Sequence, residues 1–284
     1  MRIAALTYVY NETYNLKLWR KYYGKNLGDR NLYIIDRESD DGSTTDLGEA
    51  NKILVPRIEF DDVKKSATLS SMHTALLQSF DYVIVTDCDE LVVPDPDHYE
   101  NLVDYIVKKE PKVASCIGLN VRHVLTKEGP LDIERPVLAQ RRIANFARAS
   151  SKPLVSSIPT VWVAGGHTCD AQPQFDKDLF VFHLKYMDYS LAMGRQRINM
   201  DTAWSERQTG SGHGAHHRHD YERFVSEGFL DPINAVRSNL IQPFEFNSEI
   251  QALTEAVTER NGFFHLGAAA PKYVEIPERF RNIL

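Results

Sequence analysis

The chain has 284 residues, of which 43% are hydrophobic and 25% are charged, so it is long and apolar enough to form a sizeable core. Its formal net charge of −6 argues against a general nucleic-acid-binding protein. The cysteines lie far apart without a CxxC pair, which excludes a disulfide framework or zinc ribbon and favours a reducing compartment. Because no segment resembles a membrane span or signal peptide, we expect a cytoplasmic protein, with peripheral attachment to a membrane left open.

The first 120 residues alternate between strand-like and helix-like patterns. In chain order the predicted elements are a strand over 3–10, a helix over 12–24, strands over 31–36 and 52–55, a helix over 63–80, a strand over 81–87, a helix over 97–109 and a strand over 113–119. Asn11 is the expected N-cap of the first helix. The alternation indicates an α/β fold with a mainly parallel, Rossmann-like sheet flanked by helices on both faces.

Polar residues follow three of these strands, at Tyr10-Asn11-Glu12, at Asp36 and at Asp87-Cys88-Asp89. Parallel strands end at the same edge of a sheet, where ligands bind in α/β folds. We therefore expect these strand ends to share one site.

The second half of the chain is less regular. Segments 160–163 and 179–184 are predicted strands, 189–208 is predicted to be partly helical, and the last third is mainly helical. The glycine- and histidine-rich segment 209–220 indicates a mobile loop. No repeat or clear linker divides the chain, so we expect a single domain.

The segment VTDCDE places Asp87, Asp89 and Glu90 directly after an apolar strand. Carboxylates this close repel each other unless a cation lies among them. Oxygen ligands suit Mg²⁺ or Mn²⁺, which also bind substrate phosphates, so one interpretation is a metal site and the other is a solvated turn. Because side chains alternate along an extended chain, Glu90 is expected to point away from the cation and to support the turn.

VTDCDE resembles the DxD motif of GT-A glycosyltransferases, followed by Glu as in several family 2-like members. The segment 7–47 resembles the opening of these enzymes, in which a strand runs into Asn-Glu and a second strand ends in Asp before a DGST-type turn. FVFHLKYMDY, 180–189, resembles the late strand whose histidine completes the metal site. The resemblance covers 1–95 and about 150–190.

The resemblance implies a single GT-A-like domain over 1–284, with a nucleotide-binding half (1–120), an acceptor and metal-completing half (121–205) and a helical C-terminal extension (206–284). It also implies residue roles. The nucleotide would contact Thr7, Tyr8, Glu12, Asp36 (at the base) and Asp87 (at the ribose or metal). Mn²⁺ or Mg²⁺ would bind Asp87, Asp89 and His183, and the diphosphate would contact Lys185 and, from a lid, Arg218. From its strand alone, His183 could equally be a core residue, and Lys185 could be solvated.

The catalytic base is less clear from the sequence. Trp162, Gly165 and Gly166 match the W-G-G-E-D type of loop in inverting enzymes, but His167 follows the glycines and the first acid is Asp170. The base is therefore Asp170 or His167, unless this loop only shapes the acceptor site.

The sequence leaves the roles of two clusters open, one rich in histidine and one basic. The run HGAHHRH, 213–219, is interpreted as a flexible loop, a lid over the donor or a transition-metal site. Arg141, Arg142 and Lys152 could bind phosphates or an anionic acceptor, or could be solvated.

The function implied by the resemblance is metal-dependent glycosyl transfer, of the inverting type, from a nucleotide-sugar to a glycan, lipid-linked or other hydroxyl acceptor in polysaccharide biosynthesis. A UDP-sugar is the favoured donor, because UDP-sugars are the usual partners of a DxD site. One alternative is a nucleotidyltransferase, although YVYNET after the first strand has neither the glycine nor the basic residue that such enzymes use. The other is a non-catalytic nucleotide-sugar-binding domain.

Overall fold

The computed structural model describes residues 1–211 and 214–283, without the side chain of residue 216. The strands are β1 (Ile3–Val9), β2 (Leu32–Asp36), β3 (Asn51–Leu54), β4 (Tyr82–Val85), β5 (Glu90–Pro94), β6 (Val113–Arg122), β7 (Ile143–Phe146), β8 (Pro153–Ser156), β9 (Phe175–Tyr186), β10 (Thr258–Arg260), β11 (Phe263–His265) and β12 (Lys272–Glu275). The helices are α1 (Asn15–Leu27), α2 (Asp62–Leu76), α3 (Leu102–Lys109), α4 (Val137–Gln140), α5 (Tyr189–Asp201), α6 (Glu206–Ser211), α7 (Tyr221–Val225), α8 (Asp231–Arg237) and α9 (Asn247–Glu255).

The central sheet has a parallel part, in the order β3-β2-β1-β4, that is built from the first half of the chain. Antiparallel pairing continues the sheet through β8, β6, β7 and β12. The predicted α/β fold, with parallel strands flanked by helices, is confirmed. The strand ends that carry Tyr10, Asp36 and Asp87 lie along the same edge, because β1, β2 and β4 are parallel.

Opposite faces of β1 pack against different helices, because side chains alternate along a strand. Ala5 and Val9 belong to the core cluster that includes Trp19 of α1. Leu6 belongs to the cluster that includes Leu69 of α2. The sheet is thus covered on both faces, as the continuous apolar runs of the parallel strands require.

Strand β9 connects the two halves of the site. It pairs in parallel with β6 and antiparallel with β5, and the register places His183 opposite Asn120 on β6 and opposite Glu90 on β5. Since β4 ends at Val85 and β5 begins at Glu90, the DCDE segment is a tight turn between two strands.

Several sequence-based boundaries were wrong for local reasons. Strand β5 was not predicted, because its residues follow β4 after a very short turn. The predicted strand over 160–163 contributes only an isolated bridge between Trp162 and Cys169. Helix α1 begins at Asn15, and Asn11 adopts a left-handed φ of 53° instead of capping it. The mainly helical C-terminal part also supplies β12 to the central sheet.

Within the described ranges, no helix is both long enough and apolar enough to cross a membrane.

His73 of α2 is an unusual component of the core. Its side chain is fully buried, neither ring nitrogen has a hydrogen-bond partner among the described residues, and the ring lies edge-on to Trp162 with 4.9 Å between centroids. Burial lowers the pKa of His73 to about 4. The folded protein therefore holds this imidazole in its neutral form.

We expect His73 to make the protein acid-sensitive. Between pH 6.5 and 4 the unfolded chain binds a proton that the folded chain excludes, so the free energy of unfolding falls as the pH falls, by up to about 3 kcal/mol. His73→Phe should flatten this part of a pH series of urea titrations. Met72→Leu, a change on the same helix that removes no titrating group, should not. Equal pH slopes for the wild type and His73→Phe would contradict the prediction.

Candidate functional site

A cleft of about 380 Å³ opens at the carboxyl ends of β1 and β4, which is the volume of a small-molecule site. Aromatic and ionic side chains share its lining. The aromatic ones are Tyr8, Tyr10, Phe60, Tyr186 and Trp204. The ionic ones are Glu12, Arg37, Asp62, Lys65, Asp87, Asp89, Glu90, Arg122, Lys152, Lys185, Arg195 and Glu227.

The DCDE turn forms the floor of the cleft, and two lysines neutralise it. Asp87 accepts hydrogen bonds from Lys65 Nζ at 2.5 Å and from Lys152 Nζ at 3.2 Å. Lys152 Nζ also lies 2.6 Å from Glu90 Oε1, and the other Glu90 oxygen accepts from the Asp87 backbone N–H at 3.3 Å. Glu90 therefore closes the turn and binds a lysine.

The charges of this network are coupled. Burial alone would raise the pKa of Asp87, but Lys65 and Lys152 outweigh it and hold that pKa well below its usual range. Burial would lower the pKa of Lys152, yet Glu90 and Asp87 raise it. Burial raises the pKa of Glu90, against the opposing effect of Lys152. Asp87 and Lys152 therefore stay charged at neutral pH.

The segment that carries Ser150 and Lys152 reaches the floor because β6 contains a glycine. A Cβ on Gly118 would lie 2.2 Å from the backbone carbon of Ser150, so no other residue permits this approach. The Gly118 N–H also donates to Ser151 Oγ at 3.0 Å. This contact between backbones fixes the position of Lys152 beside the turn.

Asp89 and His183 form a second pair on the floor. Asp89 Oδ2 lies 3.2 Å from His183 Nε2, and Nδ1 of the same ring lies 2.8 Å from Asn120 Oδ1. Asn120 Oδ1, an amide oxygen that can only accept, also accepts a hydrogen bond from Ser150 Oγ at 2.8 Å. His183 Nδ1 therefore carries a proton, and Nε2 faces Asp89 with a lone pair or with a second proton.

This pair has the geometry of two metal ligands. Neighbouring ligands of an octahedral Mg²⁺ or Mn²⁺ ion lie about 3 Å apart. A ligating histidine commonly donates its other ring N–H to an oxygen, as His183 does to Asn120. Burial would raise the pKa of Asp89, but His183 outweighs it and lowers that pKa, so the carboxylate is charged. Asp89 and His183 could therefore hold a divalent cation, whereas Asp87 is bound by lysines.

Two further cations line the cleft. Arg195 donates to the Tyr10 carbonyl at 2.7 Å and lies 3.0 Å from Glu12 Oε1, so it orders the end of β1. Lys185 Nζ has no hydrogen bond or ion pair with any described residue and lies 5.2 Å from the ring centroid of Tyr186. Burial lowers the pKa of Lys185 to about 8, although Asp89 opposes this effect. Lys185 is available to an anionic ligand.

Four predicted site residues lie outside the cleft lining, namely Thr7, Asp36, Asp170 and Arg218. Thr7 is fully buried on the face of β1 that packs against α1. Asp36 is enclosed by its own turn, where it binds Lys52 Nζ at 2.8 Å and Thr44 Oγ1 at 2.7 Å. Asp170 is exposed and accepts a hydrogen bond from the Val161 backbone N–H at 2.8 Å.

His167 does line the cleft, and Gly165, two residues earlier, leaves room for its ring. Gly165 has a φ of 81°, and a Cβ there would lie 2.8 Å from Cδ2 of the His167 ring. The loop therefore uses Gly165 both for its turn and to leave room for the imidazole. Of the two residues that the sequence offered as the base, the structure places His167 in the cleft.

A segment that we call the clasp, Trp204–Gln208, covers the side of the cleft next to α2. The Phe60 and Trp204 rings meet edge-to-face at 5.1 Å. Arg207 donates two hydrogen bonds to Asp61, the N-cap of α2, at 2.9 and 2.7 Å. Gln208 exchanges two hydrogen bonds of 2.9 Å with Asp62. These contacts, of which those between Gln208 and Asp62 are buried, fasten the clasp to the first turn of α2.

The histidine-rich run continues from the clasp. His217 lines the cleft and stacks on Trp204 at 6.0 Å, and the Arg218 guanidinium lies 5.4 Å from the Trp204 ring. His213 and the side chain of His216 lie outside the described residues.

Of the basic cluster, Arg141 and Arg142 bind Asp188 and Glu278, away from the cleft, whereas Lys152 lines it.

Another acidic group lies at the far end of β5. Asp95, His98 and Asp178 bring their ligand atoms within 4.8 Å of one another, an arrangement that could hold a metal ion. Arg279 already donates two hydrogen bonds of 2.7 Å to Asp95. This group therefore anchors the C-terminal segment by an ion pair.

Sequence reasoning missed several cleft residues. Lys65 lies two residues after the start of the helix predicted over 63–80, and only the position of that helix beside β4 makes it a partner of Asp87. Arg195 had no motif around it, and Arg37 follows Asp36 in the segment 7–47 but was not singled out there. Asn120 could have been found as a polar residue in an otherwise buried strand, at the register position opposite His183.

No protein-family model and no curated protein matches the chain, but 35 chains of solved structures do. One is a mannosyltransferase from Pyrobaculum calidifontis in complex with GDP-Man and Mn²⁺, with 19% identity over 49% of this chain and 40% of its own and a TM-score of 0.28. Another is a mannose-1-phosphate geranyltransferase from Thermus thermophilus, with 12% identity over 83% and 68% of the two chains and a TM-score of 0.32.

A third is CMP:2-keto-3-deoxy-manno-octonic acid synthetase complexed with CTP, with 6% identity over 44% of this chain and 55% of its own and a TM-score of 0.26. This chain thus spans less than half of the first of these proteins and about half of the third. Because the superpositions are this poor, these likenesses carry no conclusion about the reaction or the ligands.

The Lys152–Glu90 pair generates a stability prediction. The two side chains are 7% and 1% exposed, so Lys152→Met would leave a buried carboxylate without its cation and should lower the free energy of unfolding by about 3–5 kcal/mol. Adding Glu90→Gln should restore a large part of the loss, measured by urea unfolding. Arg30→Met, which breaks an equally short pair on the surface, should change stability little. Additive losses in the double variant would contradict this coupling.

Proposed function

We propose that the protein is a metal-dependent glycosyltransferase that uses a nucleotide-sugar donor and a hydroxyl acceptor. The observation that carries this proposal is the Asp89–His183 pair, 3.2 Å apart, on the floor of the cleft at the strand ends. The resemblance of VTDCDE and FVFHLKYMDY to GT-A enzymes of the family 2 type supports the same assignment. The proposal includes the GT-A type of fold, Mn²⁺ or Mg²⁺ as the cofactor, and a glycan or lipid-linked acceptor.

Asp89 and His183 would hold the divalent cation, and Asn120 would fix the ring of His183. When bound, the cation supplies charge neutralisation for the departing diphosphate. Lys185 adds an ammonium group without a hydrogen bond or ion pair among the described residues, in a water-poor site where such a charge acts strongly on phosphate oxygens. Asp87, held by Lys65 and Lys152, shapes the floor and accepts hydrogen bonds from the ribose.

The deprotonation of the acceptor is assigned to His167. It lines the cleft on a loop that Gly165 shapes around its ring, whereas the Asp170 carboxylate accepts from the Val161 backbone N–H outside the cleft. A neutral imidazole can take the proton of a hydroxyl group at neutral pH. Direct attack of that hydroxyl on the sugar would invert the anomeric centre.

The function is tested by product analysis on a panel of nucleotide-sugars with Mn²⁺. We expect release of a nucleoside diphosphate that EDTA abolishes, and a decrease of about 10²–10³-fold in Asp89→Asn. Asp178→Asn, in the other acidic group, should keep the metal dependence. Formation of pyrophosphate from a nucleoside triphosphate and a sugar phosphate would assign nucleotidyl transfer instead. Tight binding of the donor without any release would assign a non-catalytic domain.

The assignment of the catalytic base is tested by two matched substitutions. His167→Gln should lower the transfer rate by about 10²–10⁴-fold with little change in donor affinity, because a general base contributes about that much. Asp170→Asn should stay close to the wild type. The reverse result would assign the proton transfer to Asp170.

A further inference from the structure

The cleft contains an aromatic wall that the chemistry proposed above does not use. We define this wall as Tyr10, Phe60 and Trp204, all of which line the cleft. Tyr10 is fixed by Arg57, which donates to its hydroxyl at 2.7 Å, and Phe60 is fixed by its edge-to-face contact with Trp204. Aromatic faces of this kind stack on the bases of nucleotides.

Arg37 lies against this wall as a buried cation. It is 5% exposed, and its guanidinium carbon lies 5.2 Å from the Tyr10 ring centroid and 5.3 Å from that of Phe60. It forms no ion pair with any residue in the described part of the chain. Burying an unpaired charge is unfavourable, so such a group is normally completed by a partner, here a ligand.

The hydrogen-bond donors of Arg37 show what such a ligand must offer. Nη2 donates to the Ile58 carbonyl at 2.7 Å, whereas Nε and Nη1 have no partner among the described residues. Arg37 lines the cleft, so a molecule bound there can supply acceptors for the donors that Ile58 does not take. A guanidinium has two forks of N–H groups, one formed by Nε and one hydrogen of Nη2, the other by Nη1 and the second hydrogen of Nη2. Because Nη2 gives only one hydrogen to Ile58, one fork remains for two neighbouring acceptor atoms.

The residue that the resemblance assigns to the base is not available for this role. Asp36 is enclosed by Lys52, Thr44 and the Ser39 backbone N–H, and it does not line the cleft. Its neighbour in sequence, Arg37, does line the cleft. A carboxylate and a guanidinium select opposite edges of a base, because one accepts hydrogen bonds and the other donates them.

We propose that Arg37 reads the nucleobase of the donor and that this base is guanine. This inference rests on the proposed function. Guanine presents O6 and N7 as adjacent acceptors, and arginine binds this edge with two hydrogen bonds. In uracil an N–H separates the two carbonyls, and in adenine a donor lies beside N7, so neither offers this pair. Cytosine offers O2 and N3 as adjacent acceptors, but it is the smaller base. The larger purine also covers more of the aromatic wall than a pyrimidine does.

The inference is tested by calorimetric titration of the full chain with GDP, UDP, CDP and ADP in the presence of Mn²⁺. We expect GDP to bind about ten-fold or more tightly than the other three. Arg37→Met should reduce the affinity for GDP to that for UDP and leave the affinity for UDP nearly unchanged. Arg30→Met is the control, because it removes an exposed arginine that pairs with Glu49 on the surface, and it should preserve the preference for GDP.

Two outcomes would overturn the inference alone: metal-dependent binding of nucleotides without a preference for GDP, or a GDP preference that persists in Arg37→Met. Absence of metal-dependent binding for every nucleotide would overturn the proposed function together with the inference. Thermal unfolding of each variant shows whether it is folded. If Arg37→Met is unfolded, Arg37→Lys, which keeps the charge but offers no fork of two N–H groups, should show the same loss of preference.

Discussion

The buried pairing of Lys152 with Glu90 and Asp87 is the interaction on which the site depends. It joins the turn after β4, the start of β5 and the segment before β8, three parts of the chain that are brought together by the fold. Each carboxylate would repel the other without this ammonium group, and the ammonium group would be poorly solvated without them. The floor of the cleft is therefore held by charge balance as much as by apolar packing, and this leaves Asp89 free to face His183.

Much of the fold could be predicted from the sequence because its strands are strongly apolar and its helices are amphipathic. The pattern predicted β1, β2 and β4 with nearly correct ends. It also predicted the sheet edge at which Asp87 lies. The pattern failed where tertiary contacts decide. β5 has no turn signal that separates it from β4, and Trp162 lies in a β-rich sequence but packs against His73 instead of extending a strand.

The candidate site was predictable only where acids follow strands. Asp89 and His183, 94 residues apart, are brought together by the pairing of β5 with β9. The partners of Asp87 were not predictable, because Lys65 and Lys152 have no recognisable spacing to it. The exclusion of Asp36 depends on a turn that encloses its carboxylate, and no sequence signal distinguishes such a turn from one that leaves the acid exposed to a ligand.

The clasp and the floor of the cleft are attached to the same end of α2. Asp61 and Asp62 bind the clasp, and Lys65, one turn further along, binds Asp87. The first turn of α2 carries both sets of contacts, so one wall of the cleft and the charged floor share a single rigid support.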